Sequence, residues 1–336
     1  MQNMQNMHGP ERPVFLYPVA SHEDERDLFL LEMRALFGAE PVDGCVISDK
    51  NVDPSRSPFI RGRLAVTASG GRPEDIAAYA ADAVRLEGRT FKVTFVCGEP
   101  DYDAQRAAER TIGWRIAGKA EMRRPERLFG VAFARGRYWF GEYAKSEAAW
   151  LKHNDKPQPY STALGTRVAR AVVNLAVPDI RAGLRAVDPC CGIGTVLIEA
   201  LSMGIDIVGY DVNPLALKGA RLNLAHFGMP DVVKLADMTT LAPGPEGPCD
   251  AAVLDLPYNL CSVLPEDERL AMLRAARRLA RRVVVVTTET IDAALAQAGL
   301  RVLDRAAVRK GKFERHVLVC EGERAKRQGA DEARVR

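Results

Sequence analysis

The C-terminal half of the sequence predicts a doubly wound α/β fold with a mainly parallel sheet and an antiparallel last strand. The N-terminal part predicts a smaller α+β region. Three observations support this. From 181 to 322, strand-like and helix-like runs alternate, as parallel strands joined by crossover helices do. The final two strand-like runs, LRVLDRAAVRKG and FERHVLVCEG, meet at a short Arg-Lys-Gly turn and so form a hairpin. Before residue 146 the runs are mixed, which suits a mixed or antiparallel sheet.

In chain order, MQNMQNMHGPERP has no apolar signal core, and residues 1–12 are expected to be a disordered leader. Block 13–65 opens with the strand-like VFLYPVA. A helix follows in HEDERDLFLLEMRALFG, where Leu28, Leu31, Met33, Leu36 and Phe37 recur at near-helical spacing and Gly38 supplies a stop. GCVISDKNVDPSRSPFIRGRLAVTAS then reads as strand, Asp/Pro/Ser-rich loop and strand. Block 66–145 reads helix (73–86), strand (90–97), helix (103–117) and two strands (128–135 and 137–143). Residues 146–180 combine the polar linker WLKHNDKPQPYSTA with an amphipathic helix that ends near Pro178. Block 181–322 holds the alternating fold. The tail 323–336 has almost nothing to bury and is expected to be disordered.

With 336 residues, 47% of them hydrophobic and 27% charged, the chain can fill more than one core. No apolar run approaches the ~20 residues of a membrane span. Seven scattered cysteines show no CxxC pair or zinc-ligand spacing, so free thiols in a reducing cytoplasm and no metal are expected. The net charge of +3 names no partner. Its distribution says more. From Arg106 to Arg137 nine basic residues face three acidic ones, interleaved with Trp114, Phe129, Phe133, Tyr138, Trp139 and Phe140. Phosphate contact and base stacking require such a surface, with Arg106, Arg110, Arg115, Lys119, Arg123 and Arg124 as candidate RNA-binding residues. The competing reading is a solvated surface whose aromatics all point into a core.

The motifs sit at four successive strand ends. In VDPCCGIGTVLIEA, Gly192 and Gly194 let backbone approach a ligand at a helix N-terminus. Leu197 stands where a dinucleotide fingerprint carries its third glycine, which argues against a nicotinamide cofactor. Asp211, in GYDVNP, follows Asp188 by 23 residues and is spaced to bind ribose hydroxyls. Asp237 could accept from an adenine amino group while Met238 packs on the ring. Asp255 ends the apolar run AAVLDLPYNLCS beside Pro257 and Tyr258. Taken singly, each acid could equally cap a helix or turn.

DPCCGIGTVLIEA, GYDVNPLALKGARLNL, ADM and DLPYN resemble the ordered motifs of class I S-adenosylmethionine-dependent methyltransferases. The linker PYSTALGTRVARAVVNLA is similar to that of the THUMP-containing RNA methyltransferases, and VFLYPVASHEDERDLFLLEMRALFG to the N-terminal lead of their Trm11-like branch. The resemblance implies a ferredoxin-like region at 13–65, a THUMP-like RNA-binding domain at 66–145 and a Rossmann-like methyltransferase domain at 181–322. It also implies S-adenosylmethionine held by Asp188, Cys190, Gly192, Gly194, Thr195, Asp211, Val212, Asp237 and Met238, with Ser161 and Thr162 either at its methionine end or capping the following helix. Asp255, Pro257 and Tyr258 would be the catalytic residues. The expected substrate is tRNA, most often methylated at guanosine N2, and the expected state a cytoplasmic monomer. Leu256 replaces the first proline of the related four-residue motif, and the residues themselves leave guanine N2 or adenine N6 open. A binding homologue without catalysis is a further alternative. A pyrimidine C5 reaction is disfavoured because Cys261 lacks a preceding proline. The adjacent Cys190 and Cys191 suit small-residue packing, His226 and His316 structural roles, and His153 a polar linker.

Overall fold

The computed structural model describes residues 12–160, 163–257, 264–310 and 313–322. It divides into two compact units, 1–152 and 153–336.

The first unit runs β1 (Phe15–Pro18), α1 (Arg26–Phe37), β2 (Cys45–Ser48), β3 (Gly62–Gly70), α2 (Pro73–Ala83), β4 (Phe91–Cys97), α3 (Tyr102–Gly113), β5 (Arg127–Ala134) and β6 (Arg137–Lys145). These strands form one sheet in the order β2-β1-β3-β6-β5-β4. Among them only β4 and β5 pair in parallel. The expected boundary at 65/66 is corrected here, because it falls inside β3. Ala65 and Val66 pair with Glu142 and Gly141 on the same partner strand. A Cβ on Gly141 would lie 1.8 Å from the Ala65 carbonyl oxygen, so glycine is what lets the strands approach there. One cluster of buried residues spans the boundary as well, joining Leu16, Cys45 and Leu64 to Val66, Ala132 and Ala134. Residues 13–65 and 66–145 are therefore one folded unit.

The second unit holds α4 (Thr166–Ala176), β7 (Arg185–Asp188), α5 (Thr195–Ser202), β8 (Asp206–Asp211), α6 (Pro214–His226), β9 (Val233–Leu235), β10 (Cys249–Asp255), α7 (Glu266–Leu279), β11 (Ala280–Thr287), α8 (Asp292–Ala298), β12 (Leu300–Lys310) and β13 (Phe313–Gly322). Its strands are ordered β12-β13-β11-β10-β7-β8-β9. All pair in parallel except β13, which runs antiparallel to both β11 and β12. The expected doubly wound sheet with an antiparallel last strand is what forms. Helix α4, assigned from sequence to a separate 146–180 linker, belongs to this unit, and all its residues except Arg167 are buried. The chain turns from one side of β7 (β8 and β9) to the other (β10 and β11). The crevice at such a reversal, beyond the carboxyl ends of the strands, is where ligands of open α/β sheets bind.

Candidate active site

A cleft of about 580 Å³ opens at that reversal, lined by the strand ends of β7, β8 and β10, the segment after β9, and residues of α7. Its floor is the turn 189–194. Gly192 and Gly194 have φ of 52° and 82°, left-handed values at which a Cβ would be strained, so the two glycines make the turn. The turn is held from within by Gly194 N–H donating to the Cys191 carbonyl (2.8 Å), and to its neighbour strand by Cys191 N–H donating to the Tyr210 carbonyl (2.8 Å). Leu197, in place of a third glycine, packs on Gly209 of β8, where a Cβ would meet its Cδ1 at 2.6 Å. Close packing of helix on strand is thus achieved with the glycine on the strand rather than the helix. A glycine inside a strand pattern often marks such an approach, and Gly209 was the signal available for it.

The four expected acids do converge. Asp188 is 3% exposed, and burial pushes its carboxyl well above the usual range, against the Cys190 N–H that donates to it at 3.2 Å. Asp255 and Asp211 lie near enough to raise it further. The two oxygens of Asp211 accept the Gly192 and Asn213 N–H groups, both at 2.8 Å. One lone pair on each oxygen remains for ribose hydroxyls. Asp237 caps the single 3-10 turn Met238–Thr240 by accepting the Thr239 N–H and hydroxyl at 2.8 Å. Capping and lining therefore coincide at one residue. Met238 is buried as a wall, and the Cys190 thiol donates to its Sδ at 3.4 Å. Val212 is exposed at the rim.

Asp255 closes the opposite side. Its residue is half-buried, but Oδ1 is sealed and without a hydrogen-bond partner among the described residues. Burial raises its pKa to about 7, partly offset by the positive Arg315. Leu256 is buried in the core, and its N–H donates to the Val286 carbonyl at 2.9 Å. It therefore continues the β10–β11 ladder by one residue, a bond that proline could not make. Pro257 is exposed in the cleft wall. Tyr258, Ser161 and Thr162 lie outside the described residues.

The cleft also takes residues that sequence reasoning missed: Tyr160 and Leu164 from the linker, and Glu268 and Met272 from α7. His153, expected as a polar linker residue, is buried instead. Its Nδ1–H donates to Glu199 at 2.6 Å, and Arg170 donates to the other Glu199 oxygen at 2.8 Å. His226 is exposed against Phe227, and His316 is half-buried and paired with Glu314. Cys190 and Cys191 are free thiols whose pKa values burial pushes up, so neither is poised as a nucleophile.

In the first unit, the six candidate RNA-binding residues are all exposed. Of the interleaved aromatics, Phe129 and Phe140 are buried core and Phe133, Tyr138 and Trp139 half-buried, whereas Trp114 is 89% exposed. Along α3, Tyr102, Arg106, Arg110 and Trp114 recur every four residues and share one face. The Arg106 guanidinium lies over the Tyr102 ring at 5.1 Å. Tyr102, itself 67% exposed, is a further aromatic of this face.

Residues 154–316 match the family model described as RMKL-like, methyltransferase domain. This part of the chain is similar to that family. The match takes in α4 and the linker from 154, which agrees with the second unit rather than with a start at 181. The chain is 28% identical over 263 residues to a tRNA (guanine(10)-N2)-dimethyltransferase of Methanothermobacter thermautotrophicus, covering 71% of this chain and 76% of that protein. It is 33% identical over 168 residues to the Pyrococcus abyssi protein of the same name, covering 47% and 50%. With the mouse U6 snRNA (guanine-N(2))-methyltransferase THUMPD2 it shares 28% identity over 218 residues, covering 59% and 39%.

The residues of the cleft in the second unit fit S-adenosylmethionine. The cleft has, in its lining residues, two buried polar atoms without partners among the described residues, Asp255 Oδ1 and Thr195 Oγ1, and carboxylates of Asp211, Asp237 and Glu268 in its walls. It also has spare acceptors on Asp211 and an apolar wall at Met238. Among the described residues no group of His, Cys, Asp and Glu is arranged to hold a metal, and no helix is long and apolar enough to cross a membrane.

Proposed function

We propose that the chain is an S-adenosylmethionine-dependent RNA methyltransferase acting on the exocyclic N2 of guanosine, with tRNA as its substrate class. The observation that carries this is Asp255. Its carboxylate, with one oxygen unpartnered among the described residues, stands at a strand end in a cleft shared with the glycine turn, Asp211 and Asp237. The guanine-N2 activity for which relatives in three organisms are named supports the choice of base.

When bound, the cofactor supplies an electrophilic methyl group on a sulfonium; the methyl passes to nitrogen, the C–S electron pair stays on sulfur, and the amine loses a proton. Asp211 would hold the ribose and Asp237 with Met238 the adenine, while Thr195 would lie toward the cationic end and Asp188, buried beneath the turn, would support it from below through the Cys190 N–H. The exocyclic amine is a weak nucleophile because its lone pair is delocalised into the ring. The Asp255 carboxylate would accept one of its hydrogens, favour pyramidalisation and take up the proton, and a pKa of about 7 suits an acceptor working near neutrality. Tyr258 would stack on the flipped base, worth ~1–3 kcal/mol. Pro257 shapes the wall beside it. Leu256, by staying in the strand ladder, holds the Asp255 backbone in register with β11.

In this reading the first unit as a whole binds the RNA. The α3 face offers guanidinium groups for phosphate with Tyr102 and Trp114 for base stacking, and Arg115, Lys119, Arg123 and Arg124, also exposed, would add phosphate contacts. The protein would work as a monomer in the cytoplasm, with its thiols reduced. The test is methyl transfer from labelled S-adenosylmethionine to bulk tRNA, followed by nucleoside mass spectrometry. Label in N2-methylguanosine, lost in Asp255→Ala, is expected. Label in N6-methyladenosine, or equal transfer by Asp255→Ala, overturns the assignment.

A further inference from the structure

We infer that Asn223 is a positioning residue that locks the glycine turn and the linker wall of the cleft into one register, and that cofactor affinity runs through it. The inference rests on the reading of the cleft as an S-adenosylmethionine site. Asn223 lies near the end of α6, fully buried, among the apolar residues of RLNLAHFG. A buried amide costs stability unless it is hydrogen-bonded, so a packing role alone would be better served by leucine. Three bonds satisfy it. Its Oδ1 accepts the Gln158 N–H at 2.9 Å, and its Nδ2 donates to the Gln158 carbonyl at 3.1 Å and to the Ile193 carbonyl at 3.0 Å.

These partners belong to two walls of one cleft. Ile193 sits between the two glycines of the turn and lines the cleft, and the Gly192 N–H beside it is held by Asp211. The turn is thus fixed on one side by Asp211 and on the other by Asn223. Gln158 has an exposed side chain but both backbone polar groups engaged, and prolines at 157 and 159 stiffen its flanks. Tyr160, two residues on, stands at the rim of the cleft. Earlier in the linker, the His153–Glu199–Arg170 network and the Lys156 Nζ donations to the His153 carbonyl (2.9 Å) and Thr166 Oγ1 (3.2 Å) fasten the segment independently. The Asn223 amide hydrogen-bonds to the linker and the turn at once. Asn223→Asp keeps the size but sets a carboxylate oxygen against two carbonyls, so the walls separate where the cofactor binds.

The experiment measures S-adenosylhomocysteine binding to the full chain by titration calorimetry, S-adenosylmethionine KM, RNA KM and kcat, and folding by circular dichroism. Asn223→Asp is expected to weaken S-adenosylhomocysteine binding at least tenfold and raise the S-adenosylmethionine KM in step. RNA KM and kcat at saturating cofactor should stay within twofold. Gln158→Pro, on the exposed linker between two prolines, removes the N–H donated to Asn223 and is expected to weaken binding threefold or more; it decides the matter should Asn223→Asp not fold. Binding within twofold of wild type in a folded Asn223→Asp, or unchanged in Gln158→Pro, overturns the inference. So does an equal rise in the KM of cofactor and RNA, which means general loosening. Failure of the wild type to bind S-adenosylhomocysteine overturns the cofactor reading itself.

Discussion

Asp255→Asn tests the electrostatics of the site without changing its shape. The folded carboxyl titrates near 7, against 3.8 for the ordinary group, because burial penalises its charge. Between those values the unfolded chain has released the proton and the folded chain has kept it. Stability therefore falls as pH rises through this window and levels off above about 7. At ~1.4 kcal/mol per pH unit the full loss is about 4 kcal/mol, an upper value because the residue is only half-buried. Asparagine has no proton to lose. The stability gained by Asp255→Asn should grow by about 1–3 kcal/mol between pH 5 and pH 8. Urea unfolding followed by far-ultraviolet circular dichroism measures this. Trp114, Trp139 and Trp150 all lie in the first unit, so tryptophan emission reports on the other half of the chain. The same substitution should abolish most methyl transfer, and wild-type kcat should rise with pH up to about 7 as the acceptor ionises. A stability difference independent of pH would refute the buried-carboxylate argument.

Three further outcomes follow from the same geometry. Gly209→Ala places a Cβ against Leu197 Cδ1 at 2.6 Å and against Cys191 Cβ and Sγ at 3.0 Å. It should cost ~1–3 kcal/mol by overpacking and lower the thermal midpoint, with partial recovery in combination with Leu197→Ala. Trp114→Ala removes an exposed ring, so thermal stability should hold while RNA affinity falls by ~1–3 kcal/mol in a filter-binding titration. Reversing Arg110, Arg115 and Arg124 to glutamate should weaken RNA binding and flatten the dependence of log K on log salt, by ~0.7–0.9 for each phosphate no longer neutralised. An unchanged slope would show that these residues face no phosphate.

The alternating runs from 181 to 322 made the second unit legible, because strand and helix periods differ and each crossover forces its strands parallel. The four acids were legible for the same reason: Asp188, Asp211 and Asp255 end their strands and Asp237 follows β9 by two residues, and the carboxyl ends of parallel strands share one edge. Around the 65/66 boundary the sequence misled. The strand after the Asp/Pro/Ser loop reads as the close of a first block, whereas pairing of Ala65 and Val66 with Glu142 and Gly141 carries one sheet across the boundary. Linker and helix 146–180 misled in the same way, since helix α4 shows its burial only against the sheet it covers.

What the sequence determined by itself is the kind of fold, the order of the strand ends and the chemical identity of the groups brought there. These are local properties, set by periodicity, turn residues and side-chain type. Tertiary structure alone decided how those groups are tuned and held. Asp255 titrates near 7 because the packed strands exclude water from it. Gly209 matters because Leu197 crosses it, and Asn223 because a linker 65 residues earlier folds back onto its amide. Burial and contact between distant segments arise only when the chain closes on itself, and no local pattern encodes them.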